Sequence, residues 1–177
     1  MNSELKKVYI YLENGTYLTA NSFGANGTTV GEIVFNTSMS GYQEIMSDPS
    51  YAGQFVTFTM PEIGNVGVNK QDMESLKAHA KGMIVRKYQQ RYSNFRAEDS
   101  LANFLVQNNI IGICDIDTRF LTKMLRSQGA MMMIASTEIS DIEELKNSLS
   151  KAPRIEDINY IEQVSTKESY IHTSSTY

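Results

Sequence analysis

The chain has 177 residues, 41% hydrophobic and 20% charged with 3 prolines, the composition of a globular domain that buries about 70% of the surface its unfolded form exposes. Its net charge is −4, without a lysine or arginine run long enough to follow a phosphate backbone, which argues against nucleic acid as a partner. No stretch reaches the roughly 18 apolar residues of a membrane span, Met1 to Lys7 is polar and carries no signal-peptide core, and the expected location is the cytoplasm without membrane contact.

Val8 to Glu13 and Thr16 to Ser22 are β-prone runs around Asn14-Gly15, which predicts an opening hairpin with a type I′ turn. Gly24, Gly27 and Gly31 read as loop glycines, followed by a strand over Thr29 to Thr37 and one helical turn over Gly41 to Met46. Asp48-Pro49-Ser50-Tyr51 predicts a tight turn, because Asp bonds its own backbone and Pro is preset for the second position. Gln54 to Met60 alternates as a strand and Pro61 stops it.

Gly82 to Lys87 and Ile110 to Cys114 have the length of buried strands, with a helix between them over Arg96 to Asn109 whose stripe is Leu101, Phe104 and Leu105. Asp117 is placed to cap a further helix with Phe120, Leu121, Met124 and Leu125 inward and Gly129 at its end. Met131 to Ala135 reads as a strand, and Ser140 with Glu143 as a capping box opening a helix with Ile142, Leu145 and Leu149 inward. The expectation is an α/β fold with β/β/α layering: N-terminal hairpins followed by alternating strands and helices, whose crossovers favour parallel pairing. From Lys151 to Tyr177 periodicity is lost and no capped element is expected.

The chemistry-bearing residues are sparse. Cys114 lies inside the apolar run Ile110, Ile111, Ile113, which would bury the thiol and keep it from acting as a nucleophile. One cysteine and two histidines form neither a disulfide nor a metal shell, and His79, in a polar stretch read as helical, and His172 read as surface residues. Asp115 and Asp117 could bind magnesium, but a helix cap and its neighbour account for them more economically. Met131, Met132 and Met133 read as core filling, and Arg96 and Arg119 at helix starts as salt-bridge partners of Glu98 and Asp115. No catalytic residue and no metal site is assigned in this chain.

The run Gly31-Glu32-Ile33-Val34-Phe35-Asn36-Thr37-Ser38-Met39-Ser40-Gly41-Tyr42-Gln43-Glu44-Ile45, continuing through Asp48-Pro49-Ser50-Tyr51, resembles the small subunit of carbamoyl-phosphate synthetase. Pro61-Glu62-Ile63-Gly64-Asn65, Ser93-Asn94-Phe95-Arg96, Asp115-Ile116-Asp117-Thr118-Arg119 and Gly129-Ala130 follow in the family's order, and only its N-terminal domain is matched. The resemblance implies a swivelling β/β/α domain over residues 1–151 and, over 152–177, a linker toward a glutaminase domain that this chain lacks. In the family that domain carries a nucleophilic cysteine in a Gly-x-Cys-x-Gly elbow with a histidine and a glutamate, and Cys114 matches none of these motifs.

The resemblance further implies that L-glutamine is hydrolysed on the C-terminal glutaminase domain and that ammonia passes to a large synthetase subunit. There carbamoyl phosphate is made from bicarbonate, with ATP and magnesium held by the large subunit and no cofactor in this chain. Ser50 matches the family serine that reaches the bound glutamine, and this chain by itself is expected to be inactive. The competing expectation is a freestanding module of the same fold that holds a small ligand or scaffolds a partner. Met133 departs from the family, standing where many relatives have glycine.

Overall fold

The computed structural model describes residues 5–168. The chain opens with β1 (Lys6–Leu12) and β2 (Tyr17–Ser22), paired antiparallel from Lys6↔Ser22 to Tyr11↔Tyr17. The loop between them differs from the type I′ expectation. Leu12 N–H donates to Thr16 C=O and Gly15 N–H to Leu12 C=O, both at 2.9 Å, and Gly15 alone takes a positive φ, of 89°. This is a three-residue loop, a type I turn closed by a left-handed glycine, whereas type I′ needs positive φ at Asn14 as well.

β3 (Thr28–Asn36) leads into α1 (Tyr42–Ser47), a 3-10 turn over Pro49–Tyr51, and β4 (Gln54–Phe58). β5 (Glu62–Ile63) and β7 (Lys87–Tyr88) form a small parallel pair, while β6 (Gly82–Ile84) belongs to the main sheet. α2 (Leu101–Gln107), β8 (Ile111–Cys114), α3 (Thr118–Gln128), β9 (Met131–Ser136), α4 (Ile142–Lys151) and α5 (Tyr160–Val164) complete the order.

The α/β class read from the sequence holds, and the main sheet closes on itself in the order β1-β2-β8-β6-β4-β3-β9. β8 meets β2 antiparallel, and β3, β4, β6 and β8 run parallel to one another, as crossover connections require. β9 does not: it lies antiparallel between β1 and β3 and closes the barrel. Closure leaves the main sheet no open edge to template further strands.

The interior is identified by one cluster to which all the barrel strands contribute: Val8, Ile10 and Leu12, Ala20, Ile33, Phe55, Ile84, Ile111 and Ile113, Met133 and Ala135. Leu121, Met124 and Leu125 of α3 pack into the same cluster, so α3 plugs the barrel. Gly82 faces Phe55 across the parallel pair, and a Cβ on Gly82 would lie 2.2 Å from the Phe55 ring, so the small residue makes room for the large one. Met133, the departure from family pattern, is fully buried in this interior.

Outside the barrel, Val56, Phe58, Met83, Val85 and Cys114 pack with Met46 of α1 and Leu101, Phe104 and Leu105 of α2. On the opposite side Met132 and Ile134 pack with Leu145 and Leu149 of α4. β4 is thus buried on both faces, so its alternation separates two cores and not a core from water.

Several boundaries differ from the sequence reading. α2 starts at Leu101, not Arg96, because Val68 pairs with Asp99 and Ser100 Oγ caps by accepting Asn103 N–H at 3.2 Å. The cap of α4 is Asp141, whose Oδ1 accepts Glu144 N–H at 2.9 Å, one residue beyond Ser140, and Ile142 is therefore 43% exposed. Asp117 does cap α3, accepting Phe120 N–H at 2.9 Å, but Phe120 itself is 46% exposed. Beyond Lys151 a 3-10 turn over Ile155–Asp157 and α5, capped by Asn159, replace the uncapped tail expected there. Residues 169–177, with His172, lie outside the described residues.

Candidate functional site

The Ser50 turn is built from its own residues. Asp48 is extended at φ −72° and ψ 122°, and its Oδ1 accepts the Ser50 N–H at 2.8 Å. Pro49 occupies the first helical position, Tyr51 N–H donates to Asp48 C=O at 3.1 Å, and Ala52 N–H donates to Pro49 C=O at 3.0 Å. Asn36 Nδ2 donates to Tyr51 Oη at 2.9 Å, tying the turn to the end of β3. Turn serines commonly return their hydroxyl to the backbone. Here Asp48 has taken the local amide, and the exposed Ser50 hydroxyl has no hydrogen-bond partner among the described residues.

Helix α1, directly before the turn, is clamped from a segment remote in sequence. Buried Gln43 donates from Nε2 to Asn69 C=O at 2.6 Å and accepts Asn69 N–H on Oε1 at 3.0 Å. Buried Ser47 donates to Gln43 C=O and accepts Glu74 N–H, each at 2.9 Å, while Ser75 Oγ donates to Ser47 C=O at 2.7 Å. The Tyr42 phenol donates to Gly67 C=O at 2.5 Å, and burial pushes its pKa up. Breaking one such buried pair costs about 1 to 3 kcal/mol because a polar group is left unsatisfied. The turn is thereby held in place before anything binds.

Gly53 leaves the turn at φ +84°, in the region that favours glycine, and the Tyr160 ring of α5 lies over it. A Cβ at Gly53 would fall 2.5 Å from Tyr160 Cζ. Tyr160, Gln163 and Val164 line a small cavity with Ala52, Gly53 and His79, so the last described helix is seated beside the Ser50 turn.

The other residues singled out in the sequence have structural duties. Cys114 is buried, and burial first, then Asp115, pushes its thiol up to about 12. His79 lies in irregular chain and not in a helix, half-buried, with a ring nitrogen 3.0 Å from Ser75 Oγ; burial, then Lys77, lowers its pKa. Asp115 accepts Asn21 Nδ2 at 2.7 Å and Asp117 is occupied as a cap, and no group of three metal-ligating side chains occurs among the described residues.

Of the three glycines read as a loop, Gly31 is inside β3, where a Cβ would lie 2.5 Å from Gly53 O. Met132 and Met133 fill cores as expected. Arg96, in a loop, pairs with Asp72 at 2.5 Å and not with Glu98. Arg119 has no carboxylate within 4.0 Å among the described residues and instead shares a groove with Arg86, Lys123 and Arg126. The helical spacing of 119, 123 and 126 is the sequence signal for that grouping, and Arg86 has none.

A family model described as "Carbamoyl-phosphate synthase small chain, CPSase domain" matches residues 10–135. The chain is 60% identical over 175 residues to the carbamoyl phosphate synthase small chain of Helicobacter hepaticus, covering 99% of this chain and 46% of that protein. Against the small chain of Campylobacter jejuni it is 50% identical over 171 residues, covering 97% and 46%. Against that of Aquifex aeolicus it is 45% identical over 172 residues, again covering 97% and 46%. The chain therefore spans about half the length of these curated relatives.

Proposed function

Because the chain belongs to the carbamoyl-phosphate synthase small-chain family and corresponds to its N-terminal CPSase domain, we propose that it docks the small chain on a large synthetase subunit and completes the glutamine site with Ser50. The observation that carries this reading is the Ser50 hydroxyl, exposed and unbonded on a turn whose own hydrogen bonds are already made. A hydroxyl held this way meets a ligand's polar group without first breaking a bond of its own.

In this reading residues 1–151 are the domain, 152–177 connect it to a glutaminase domain, and α5 beside the Ser50 turn is where that connection is seated. Glutamine is hydrolysed on the glutaminase domain, ATP and magnesium serve the large subunit, and this chain is inactive by itself. A docking face is supported by Val66 at 44%, Tyr92 at 40% and Phe95 at 98% exposure, on two loops joined by the Ser93 N–H to Asn65 C=O bond of 2.9 Å.

The test is calorimetry of this chain against the large synthetase subunit, with glutaminase activity followed in the same samples. Binding without glutamine turnover is expected, and Phe95→Ala weakens it. Failure to bind, or turnover by this chain alone, overturns the docking reading. In the complete small chain, Ser50→Ala raises KM for glutamine while melting stays unchanged; an unaltered KM removes Ser50 from the site.

A further inference from the structure

Arg86, Arg119, Lys123 and Arg126 line one cavity of about 420 Å³ together with Thr59 and Thr118. Three of these cations stand on α3 at i, i+4 and i+7, so two turns of one helix, about 10 Å, present them on a single face. Arg86 follows β6 and Thr59 follows β4, and Asp115 N–H donates to Arg86 C=O at 3.0 Å, which anchors the Arg86 backbone to the start of the α3 segment. The grouping is therefore built by the barrel, not by the helix alone.

Like charges at this spacing repel, and a chain with 20 acidic residues has ample means to neutralise them. Yet none of the four cations has a carboxylate within 4.0 Å among the described residues. The acidic side chains nearest in sequence are committed elsewhere, Asp117 to the Phe120 N–H and Asp115 to Asn21. Thr118 is buried at the N-terminal turn of α3, where the helix dipole adds positive potential.

Thr57, fully buried, has no partner for its Oγ1 among the described residues. It precedes Thr59 by two residues, which by strand period puts it on the side of Phe55, a side that packs against Leu121 and Leu125 of α3.

We infer that this cavity binds a phosphate-bearing small molecule, an assignment that goes beyond the docking and glutamine reading and does not depend on it. The volume falls in the range of small-ligand sites. Four cations match the charge of a diphosphate or triphosphate, whereas a single carboxylate would leave most of them unpaired. The groove is open to solvent and its four cations are exposed, so an acidic protein face is the alternative source of negative charge that the titration must separate.

The experiment is calorimetric titration of the 177-residue chain with inorganic pyrophosphate and with a tetraglutamate peptide, at low and high salt. Pyrophosphate binds at one site, more tightly than the peptide, and binding weakens as salt rises. Arg119→Gln, Lys123→Gln and Arg126→Gln each weaken it roughly ten-fold while leaving the circular dichroism melt in place, and Lys6→Gln, on β1, leaves it unchanged. Absence of saturable binding, equal weakening by Lys6→Gln, or tighter binding of tetraglutamate than of pyrophosphate each overturns the assignment, the last in favour of an acidic partner surface.

Discussion

Replacing Gly53 by alanine perturbs the structure in two separable ways. The residue sits at φ +84°, which costs about 1 to 2 kcal/mol once a Cβ is present. The new methyl would also fall 2.5 Å from Tyr160 Cζ and 2.6 Å from its hydroxyl oxygen, so the ring must leave its seat. Tyr160 is only partly buried, and losing that contact costs about 1 kcal/mol at the usual value of apolar burial. Gly53→Ala should therefore destabilise by about 2 to 3 kcal/mol, and Tyr160→Ala by about 1 kcal/mol.

The double variant has no ring to displace, so its loss should fall short of the sum of the singles by about 1 kcal/mol. Urea unfolding followed by circular dichroism measures all four corners of this cycle, with the slope checked for constancy. Strictly additive losses would show that Tyr160 does not rest on Gly53, and the seating of α5 beside the Ser50 turn would fall with it.

Cys114 should resist iodoacetamide in the folded chain at pH 8 and react in urea, because a thiol pushed up to about 12 by burial holds almost no thiolate at that pH; ready labelling of the native state would contradict the packing described. His79 has a folded pKa below its ordinary 6.5, so the folded state binds fewer protons than the unfolded one as pH falls through that value. Stability is accordingly highest above 6.5 and declines on acidification toward the lowered folded pKa; melting curves from pH 7.5 to 5 should show this decline diminished in His79→Gln, and an unchanged decline would assign it to other groups.

What lay within a few residues was legible in advance. Asp48-Pro49 makes its turn, Asp117 caps α3 and Gly15 closes its hairpin, because each bond spans three residues or fewer and needs no distant partner. The family motifs, too, are contiguous strings, and the match over residues 10–135 agrees with them. Errors arose where a local pattern competed with a distant one. Arg96 to Ser100 has helical composition, but Val68 captures Asp99 in a bridge and delays α2; Ser140 offered a capping box, but Asp141 takes the cap.

The amino-acid sequence alone determined the types of the main barrel strands and of α1 to α4, the Ser50 turn, the burial of Cys114 and the family, but not the irregular chain around His79 or the capped α5. Tertiary structure decided the barrel closure by β9 between β1 and β3, the seat of Tyr160 on Gly53 and the meeting of Arg86 with the α3 cations. These contacts join residues far apart along the chain, where no periodicity or turn rule reaches. Their register is set only when alternate strand faces are buried together and the long loops between them close.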